Sequence, residues 1–307
     1  MGRLSPSASA HLLLVGTVLV WGATFVLVKD ALTDVSPLLF NLIRMTLAFA
    51  VLVVVNRREL VRISRHGLIA GTIVGVFLAT GYQFQTAGLL RTTPSKSAFI
   101  TGLVVVLVPL LMALPWLRPA GTRAPGWAAG VGALLAFGGL LLLTTPPGTA
   151  WQHLFASIGL GDWLTLACAV AFAGHLLALG HVSPGLPSGQ LATVQIGMAA
   201  LVMAVTLPLG ERPHLHLTPR LLVALAVTSV LATAAAFTIQ SWAQKHLQPT
   251  HTAVILSLEP VFAWGTSLVF LHEHMGVRSL AGAALILVGI ALTELVPTVA
   301  TPPQIPI

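Results

Sequence analysis

The chain has 307 residues, 56% of them hydrophobic and only 7% charged, with a formal net charge of +7. An ordinary soluble domain is about 25% charged, and a mean hydropathy of +0.94 over this length excludes a soluble core inside a polar surface, so the class is polytopic membrane protein. The basic balance does not point to nucleic acid, because the fifteen Lys and Arg form no dense run with interleaved aromatics.

A helix needs about 20 residues to cross the hydrocarbon core, and only helices and closed barrels cross at all. The apolar runs here are continuous rather than alternating, which selects helices. The first, 11–28, follows Arg3, and its "WGATF" is a poor cleavage site, so it is a span and not a signal peptide. The second, 37–55, carries Arg44 and ends at the basic connection "NRRELVRISRH". The third, 67–88, has Gly67, Gly71 and Gly75 at intervals of four, a spacing that lets helices pack closely, and then the polar cluster "GYQFQTAG" with Tyr82, Gln83 and Gln85. Spans 94–116 and 126–145 follow. After a longer connection come 162–180, with His175 and the lone Cys168, then 188–209, 219–244 with "FTIQSWAQ", 249–271 and 276–296. The Pro-rich residues 298–307 form a tail. With the N-terminus inside, the inside loops hold eight Lys and Arg against six outside, four of the eight being Arg57, Arg58, Arg62 and Arg65. Both termini are therefore expected in the cytoplasm.

An internal repeat runs through these ten spans. Gln85, Pro94, Ala98 and Leu103 stand 155 residues before Gln240, Pro249, Ala253 and Leu258, and Ser97 and Tyr82 align in the same way with Thr252 and Phe237. Pro37, Gly132 and Gly139 stand 150 residues before Pro187, Gly282 and Gly289. The expected organisation is a first five-span unit over 1–150 and a second over 151–297. Five is odd, so the second unit enters the membrane from the opposite side. The fold class is thus all-α integral membrane, ten transmembrane helices as two inverted five-helix repeats, with a substrate site near the midplane between them.

Glu259 lies ten residues into its span, about 15 Å deep at helical rise, where an ionised side chain costs about 2.5–3.5 kcal/mol on insertion scales. It must face protein or a wet cavity. Pro260 beside it cannot donate its N–H and crowds the carbonyl of Leu256, so a kink is expected there. Glu259 either satisfies donors around that kink or acts on substrate or protons. Arg44, the other deep charge, has a structural or gating role, or snorkels to the interface. Gln85 and Gln240, as repeat mates, either bond across helices or line a cavity. His175 is an interhelical donor or a proton relay. "HEH" at 272–274 does not make a metal site, since residues i and i+2 do not share a helix face. No metal or other cofactor is expected, and no acid, base and nucleophile converge.

The chain resembles the EamA-like family of the drug/metabolite transporter superfamily. "WGATFVLVK" from Trp21 is similar to the opening signature, "LFNLIRMTLA" to the second span ending in Arg44, "GDWLTLACAVAFA" to the start of the second half, and "LSLEPVFAWGTSLVFLHEH" to the ninth-span signature with a later Glu, here Glu273. The resemblance implies a ten-helix inverted-repeat carrier, often an exporter of amino acids and other small metabolites, with a central cavity between spans 1, 3, 4, 6, 8 and 9. It makes Trp21, Tyr82, Gln85, Phe99, His175, Gln240, Ser257 and Glu259 the candidate substrate-binding residues, with Arg44, Pro260, Gly67, Gly71 and Gly75 as gating or structural positions. The first half departs from the pattern: Val105 stands opposite Pro260, with Pro109 one turn later, so the fourth-span kink is expected to be displaced.

The leading function is a secondary transporter in a bacterial-type plasma membrane, moving neutral or zwitterionic amino acids or related compounds outward by alternating access. An exporter of drug-like, nucleobase-like or vitamin-like solutes is the nearest alternative. Outside the class stand a membrane-embedded enzyme on a lipid-linked substrate, a passive channel and a non-transporting scaffold. The expected partners are a small-molecule substrate and the lipid bilayer, with no nucleic acid and a monomer as the plausible state.

Overall fold

The computed structural model describes residues 5–119, 124–144, 158–247, 255–256 and 258–295. Among these residues the regular elements are helices, with one isolated antiparallel bridge between Val35 and Leu215: α1 Pro6–Ala31, α2 Pro37–Val55, α3 Arg57–Leu60, α4 Arg65–Leu89, α5 Pro94–Gly102, α6 Val104–Met112, α7 Trp127–Thr144, α8 Leu160–Val182, α9 Ser188–Gly210, α10 Pro219–Ser229, α11 Ala236–Ala243, α12 Glu259–Leu271 and α13 Val277–Leu295. A π-helical turn, Val230–Ala235, joins α10 to α11.

Eight units among the described residues are long and apolar enough to cross a membrane: α1, α2, α4, α5 with α6, α7, α8, α9, and α10 through α11. The expected ninth and tenth spans contain α12, of 13 residues, and α13, of 19. Much of 249–258, including Pro249, Thr252, Ala253 and Ser257, lies outside the described residues, as does the tail 298–307. Large apolar side chains face outward all round the bundle, among them Leu12, Leu134, Leu209 and Val288. A contiguous apolar exterior of that kind suits lipid and not water.

The helix starts follow from residue chemistry. Pro6, Pro37, Pro94 and Pro219 each open a helix, where the missing N–H costs nothing and the fixed φ is already helical. Ser5, Ser64, Thr93 and Thr218 cap the first turns through their side-chain oxygens. Asp162 is a residue type that commonly caps the first turn of its own helix. The helix instead begins at Leu160, and Asp162 reaches back from the third position to accept the Gly159 N–H at 3.1 Å.

Close backbone approach sets the packing. A Cβ on Gly71 would lie 2.4 Å from the Val194 side chain, and one on Gly75 2.7 Å from Met198 Cβ, so α4 runs parallel to α9. Gly81 meets Phe172 and Phe77 meets Gly174, so α4 runs antiparallel to α8. Gly139 meets Gly282 and Gly132 meets Gly289, so α7 runs antiparallel to α13.

The fourth-span break corrects the sequence expectation. It falls at Leu103, between α5 and α6, not at Pro109, which sits inside α6. The Leu103 N–H bonds to the Ile100 carbonyl at 3.1 Å, a tightened turn, and the Leu107 N–H returns to Leu103 at 2.9 Å. At α12 the Leu258 N–H bonds to Ile255 at 3.1 Å and the Phe262 N–H to Leu258 at 3.1 Å. These bonds join residues 155 apart from the first set. The two breaks touch: a Cβ on Gly102 would lie 2.9 Å from Pro260 Cγ.

Candidate functional site

A cavity with about 80 Å³ of free space lies in the middle of the bundle. α1 contributes Trp21, Thr24 and Phe25; α4 contributes Leu78, Tyr82, Gln85 and Thr86; the α5–α6 break contributes Thr101, Gly102, Val104 and Val105. Phe172 and His175 come from α8, Phe237 and Gln240 from α11, Glu259 from the start of α12, and Arg44 from α2. Of the sequence-derived candidates, Trp21, Tyr82, Gln85, His175, Gln240 and Glu259 thus meet in one place. Arg44 joins them, so the second span also borders the cavity.

Phe99 does not line it. It is 2% exposed and packs in the apolar cluster with Leu14, Val18 and Ile100. Thr101, two residues on and therefore on the opposite face of a 3.6-residue helix, lines the cavity in its stead. Ser257 lies outside the described residues. Gly67, Gly71 and Gly75 are set against α9, away from the cavity. Pro260 is buried against Gly102.

Arg44 is 4% exposed. Its Nε donates to Thr233 Oγ1 at 2.8 Å, and its Nη2 donates to Tyr82 OH at 3.1 Å and to the Ala232 carbonyl at 3.3 Å. Its guanidinium carbon stands 4.4 Å from the Tyr82 ring centroid, within cation–π range. Thr233 and Ala232 belong to the π-helical turn. That turn shifts the backbone register, and the Ala232 carbonyl accepts a second bond, from Trp21 Nε1 at 2.9 Å. One carbonyl therefore ties α1 and α2 to the α10–α11 junction. Among the described residues, the three ion pairs are Lys96–Asp162, Arg220–Asp30 and Arg220–Asp34, so no carboxylate pairs with Arg44. No described residue donates a hydrogen bond to the Glu259 carboxylate either.

The remaining wall is aromatic. Phe237 lies 5.6 Å from Trp21, 6.2 Å from Tyr82 and 5.8 Å from His175 between ring centroids, and Tyr82 meets Phe172 edge-on at 5.3 Å. The His175 Nε2 donates to Gln195 Oε1 at 2.9 Å, and Gln195 Nε2 lies 3.4 Å from Ser241 Oγ. His175 is therefore held across α8, α9 and α11. Two side-chain oxygens of cavity-lining residues, Gln240 Oε1 and Thr101 Oγ1, are buried with no oxygen or nitrogen hydrogen-bond partner among the described residues, and such groups are costly unless something supplies a donor.

Sequence reasoning missed Asn41, Thr101 and Thr233. Asn41 is fully buried, donates to the Tyr82 carbonyl at 3.0 Å and accepts from Thr86 at 3.1 Å, which fixes α4 beside Arg44. It sits three residues before Arg44, hence on the same helix face, and that spacing was the available signal.

Polar ties close one end of the bundle. Lys29 Nζ donates to the carbonyls of Leu89, Leu90 and Thr92. Asp162 accepts from Lys96 and Thr92, and Glu273 accepts from Ser95 and Ser267. Asp34 accepts from Arg220 and Thr218. The bonds from Arg220, then that from Thr218, hold the Asp34 carboxyl at about 2.

A model of the EamA-like transporter family matches the chain twice, over residues 8–145 and 159–295. An uncharacterized transporter of Archaeoglobus fulgidus is 30% identical over 277 residues, covering 90% of this chain and 83% of that one. A second uncharacterized transporter of the same organism is 25% identical over 299 residues, 94% of this chain and 98% of that one. A chloroplastic WAT1-related protein of Arabidopsis thaliana is 26% identical over 287 residues, 89% of this chain and 66% of the plant protein. One solved crystal structure, 20% identical, superposes with a TM-score of 0.67 over 94% of this chain and 97% of that one, which shows a shared fold.

Proposed function

The chain belongs to the EamA-like transporter family, and from that premise we propose that this multi-pass membrane protein is a secondary transporter of small neutral or zwitterionic metabolites, amino acids first among them. Export by alternating access at the central cavity is the mechanism of this reading. The observation that carries it is a cavity bordered by a base and an acid, Arg44 and Glu259, neither of them ion-paired to a described residue. A zwitterion offers a carboxylate to Arg44 and an ammonium to Glu259, whereas a polyanion offers Glu259 no cation. The aromatic wall favours a second reading, flat drug-like or nucleobase-like solutes stacked on Trp21 or Phe237.

The architecture of this proposal is ten spans in two inverted units, over 1–150 and 151–297, with a tail at 298–307 and both termini in the cytoplasm of a bacterial-type plasma membrane. The protein acts as a monomer. The doubled family match supports two units. So does the α7–α13 contact, where Gly139 meets Gly282 and Gly132 meets Gly289. Each glycine touches the repeat mate of the other's partner, the exchange a two-fold axis produces. The antiparallel run of those helices suits units of opposite orientation.

The test is counterflow in proteoliposomes loaded with unlabelled amino acids. Transient, saturable uptake of a labelled amino acid is the expected result, with Glu259→Gln reducing it and altering its pH dependence. Folded protein that accumulates no amino acid would remove them as substrates. Normal transport with normal pH dependence in Glu259→Gln would refute a charge or proton role for that residue.

A further inference from the structure

We propose that the groove between the α2–α4 connection and the start of α9 is a binding site for the phosphate of an anionic phospholipid. This site is separate from the central cavity, and the proposal does not rest on the transport substrate. The groove has a volume of about 700 Å³ and is lined by Arg58, Glu59, Val61, Arg62 and Ser64 on one side and by Gly185, Leu186, Pro187 and Gln190 on the other. Arg57 and Arg65 stand beside it, which makes four arginines in nine residues. All four are exposed, and among the described residues none forms an ion pair or a hydrogen bond through its side chain.

The one acid in the groove forms no ion pair with any of the four arginines, and their combined charge exceeds its own. Glu59 Oε2 accepts the backbone N–H of Gln190 at 2.9 Å, and its carbonyl accepts Gln190 Nε2 at 3.1 Å. Gln190 is 3% exposed and stands in the first turn of α9. The carboxylate is thus hydrogen-bonded at the positive end of a helix, and Arg58 and Arg62 line the groove without an ion pair. Guanidinium donors in a planar fork match phosphate oxygens.

Lipid is favoured over a soluble anion by what flanks the charge. Val61 lines the groove and is 86% exposed, and Val54 and Val55, at the end of α2, are 72% and 70% exposed. A basic groove rimmed by bare valines at the end of a membrane span offers a headgroup and its acyl chains one continuous surface. Free phosphate would leave the valines uncovered.

The experiment is native mass spectrometry of the detergent-solubilised full chain with equimolar phosphatidylglycerol and phosphatidylcholine, followed by titration with inorganic phosphate. Wild-type protein should retain phosphatidylglycerol selectively. Arg58→Gln/Arg62→Gln should weaken that retention by roughly 25-fold, about fivefold per arginine near a membrane surface. Lys245→Gln/Arg212→Gln removes the same net charge from exposed positions elsewhere and should leave retention unchanged. Equal retention of the two lipids, equal losses in both double variants, or displacement of the lipid by stoichiometric phosphate would each overturn the proposal. The variant positions are exposed, and a matching thermal transition establishes that each variant is folded.

Discussion

Gly138 and Gly139 are neighbours on α7, yet a methyl group added to each should have opposite effects. A Cβ at Gly139 would stand 2.5 Å from the Gly282 carbonyl oxygen and 2.9 Å from Ile286 N, both backbone atoms of α13. Ordinary contact begins at 3.4 Å, so α7 and α13 would have to part by about 0.9 Å. Overpacking of this kind costs about 1–3 kcal/mol. A Cβ at Gly138 meets nothing within 4 Å, and there alanine removes glycine's entropic penalty, a gain of up to about 1 kcal/mol. Gly282→Ala would clash with the Gly139 carbonyl at 2.6 Å, across the same gap. Once the helices have parted for one methyl, the second needs less, so Gly139→Ala/Gly282→Ala should cost less than the two single variants together, by about 0.5–3 kcal/mol. The assay heats detergent-solubilised protein and measures the monodisperse fraction by size exclusion. Gly138→Ala should melt at or above wild type, and Gly139→Ala and Gly282→Ala several degrees below it. Equal melting of Gly138→Ala and Gly139→Ala would refute the packing assigned to α7 and α13, and strict additivity would refute the shared gap.

Two further outcomes follow from the charges. Arg44→Lys keeps a cation but loses the fork that reaches both Thr233 and Tyr82; each charged hydrogen bond is worth about 1.5–3 kcal/mol. Counterflow should therefore fall at least about tenfold, and wild-type rates in that variant would show that charge alone suffices. Asp34 is held at about 2 against an ordinary 3.8, so its contribution to stability is fully present above pH 3.8 and is lost as pH falls through about 2. Asp34→Asn should flatten the melting temperature between pH 4 and 2, and an unchanged acid limb would rule out this network as its source.

Much of the frame was legible because the sequence marks it with residues that act locally. Proline at Pro37, Pro94 and Pro219 starts helices by its own covalent geometry. Arg44 and Glu259 stand out because a charge in an apolar run must be accommodated. Phe99 was misjudged for the opposite reason: in a span apolar on every side, no periodic signal tells which face meets the cavity. The π-helical turn at Val230–Ala235 was invisible, since no glycine or proline marks it and its product is a backbone carbonyl. Arg44 and Trp21 were readable as residues, but their common acceptor, Ala232, was not.

The α5–α6 break is set by its contact with the second half and not by a proline of its own. In the second half Pro260 removes the N–H that would bond to the Leu256 carbonyl, which opens the helix at Leu258. The first half has no proline at the matching position, and Pro109 suggested a shifted kink. The observed break at Leu103 is matched nonetheless, because the two breaks pack on each other. Pro260 presses on Gly102, and a side chain at 102 would collide with its ring. Gly102 supplies the space and, being the weakest helix former besides proline, the easiest point for α5 to yield. One partner breaks its helix by covalent constraint and the other by room and low propensity, so the symmetry lies in the contact and not in the residue types.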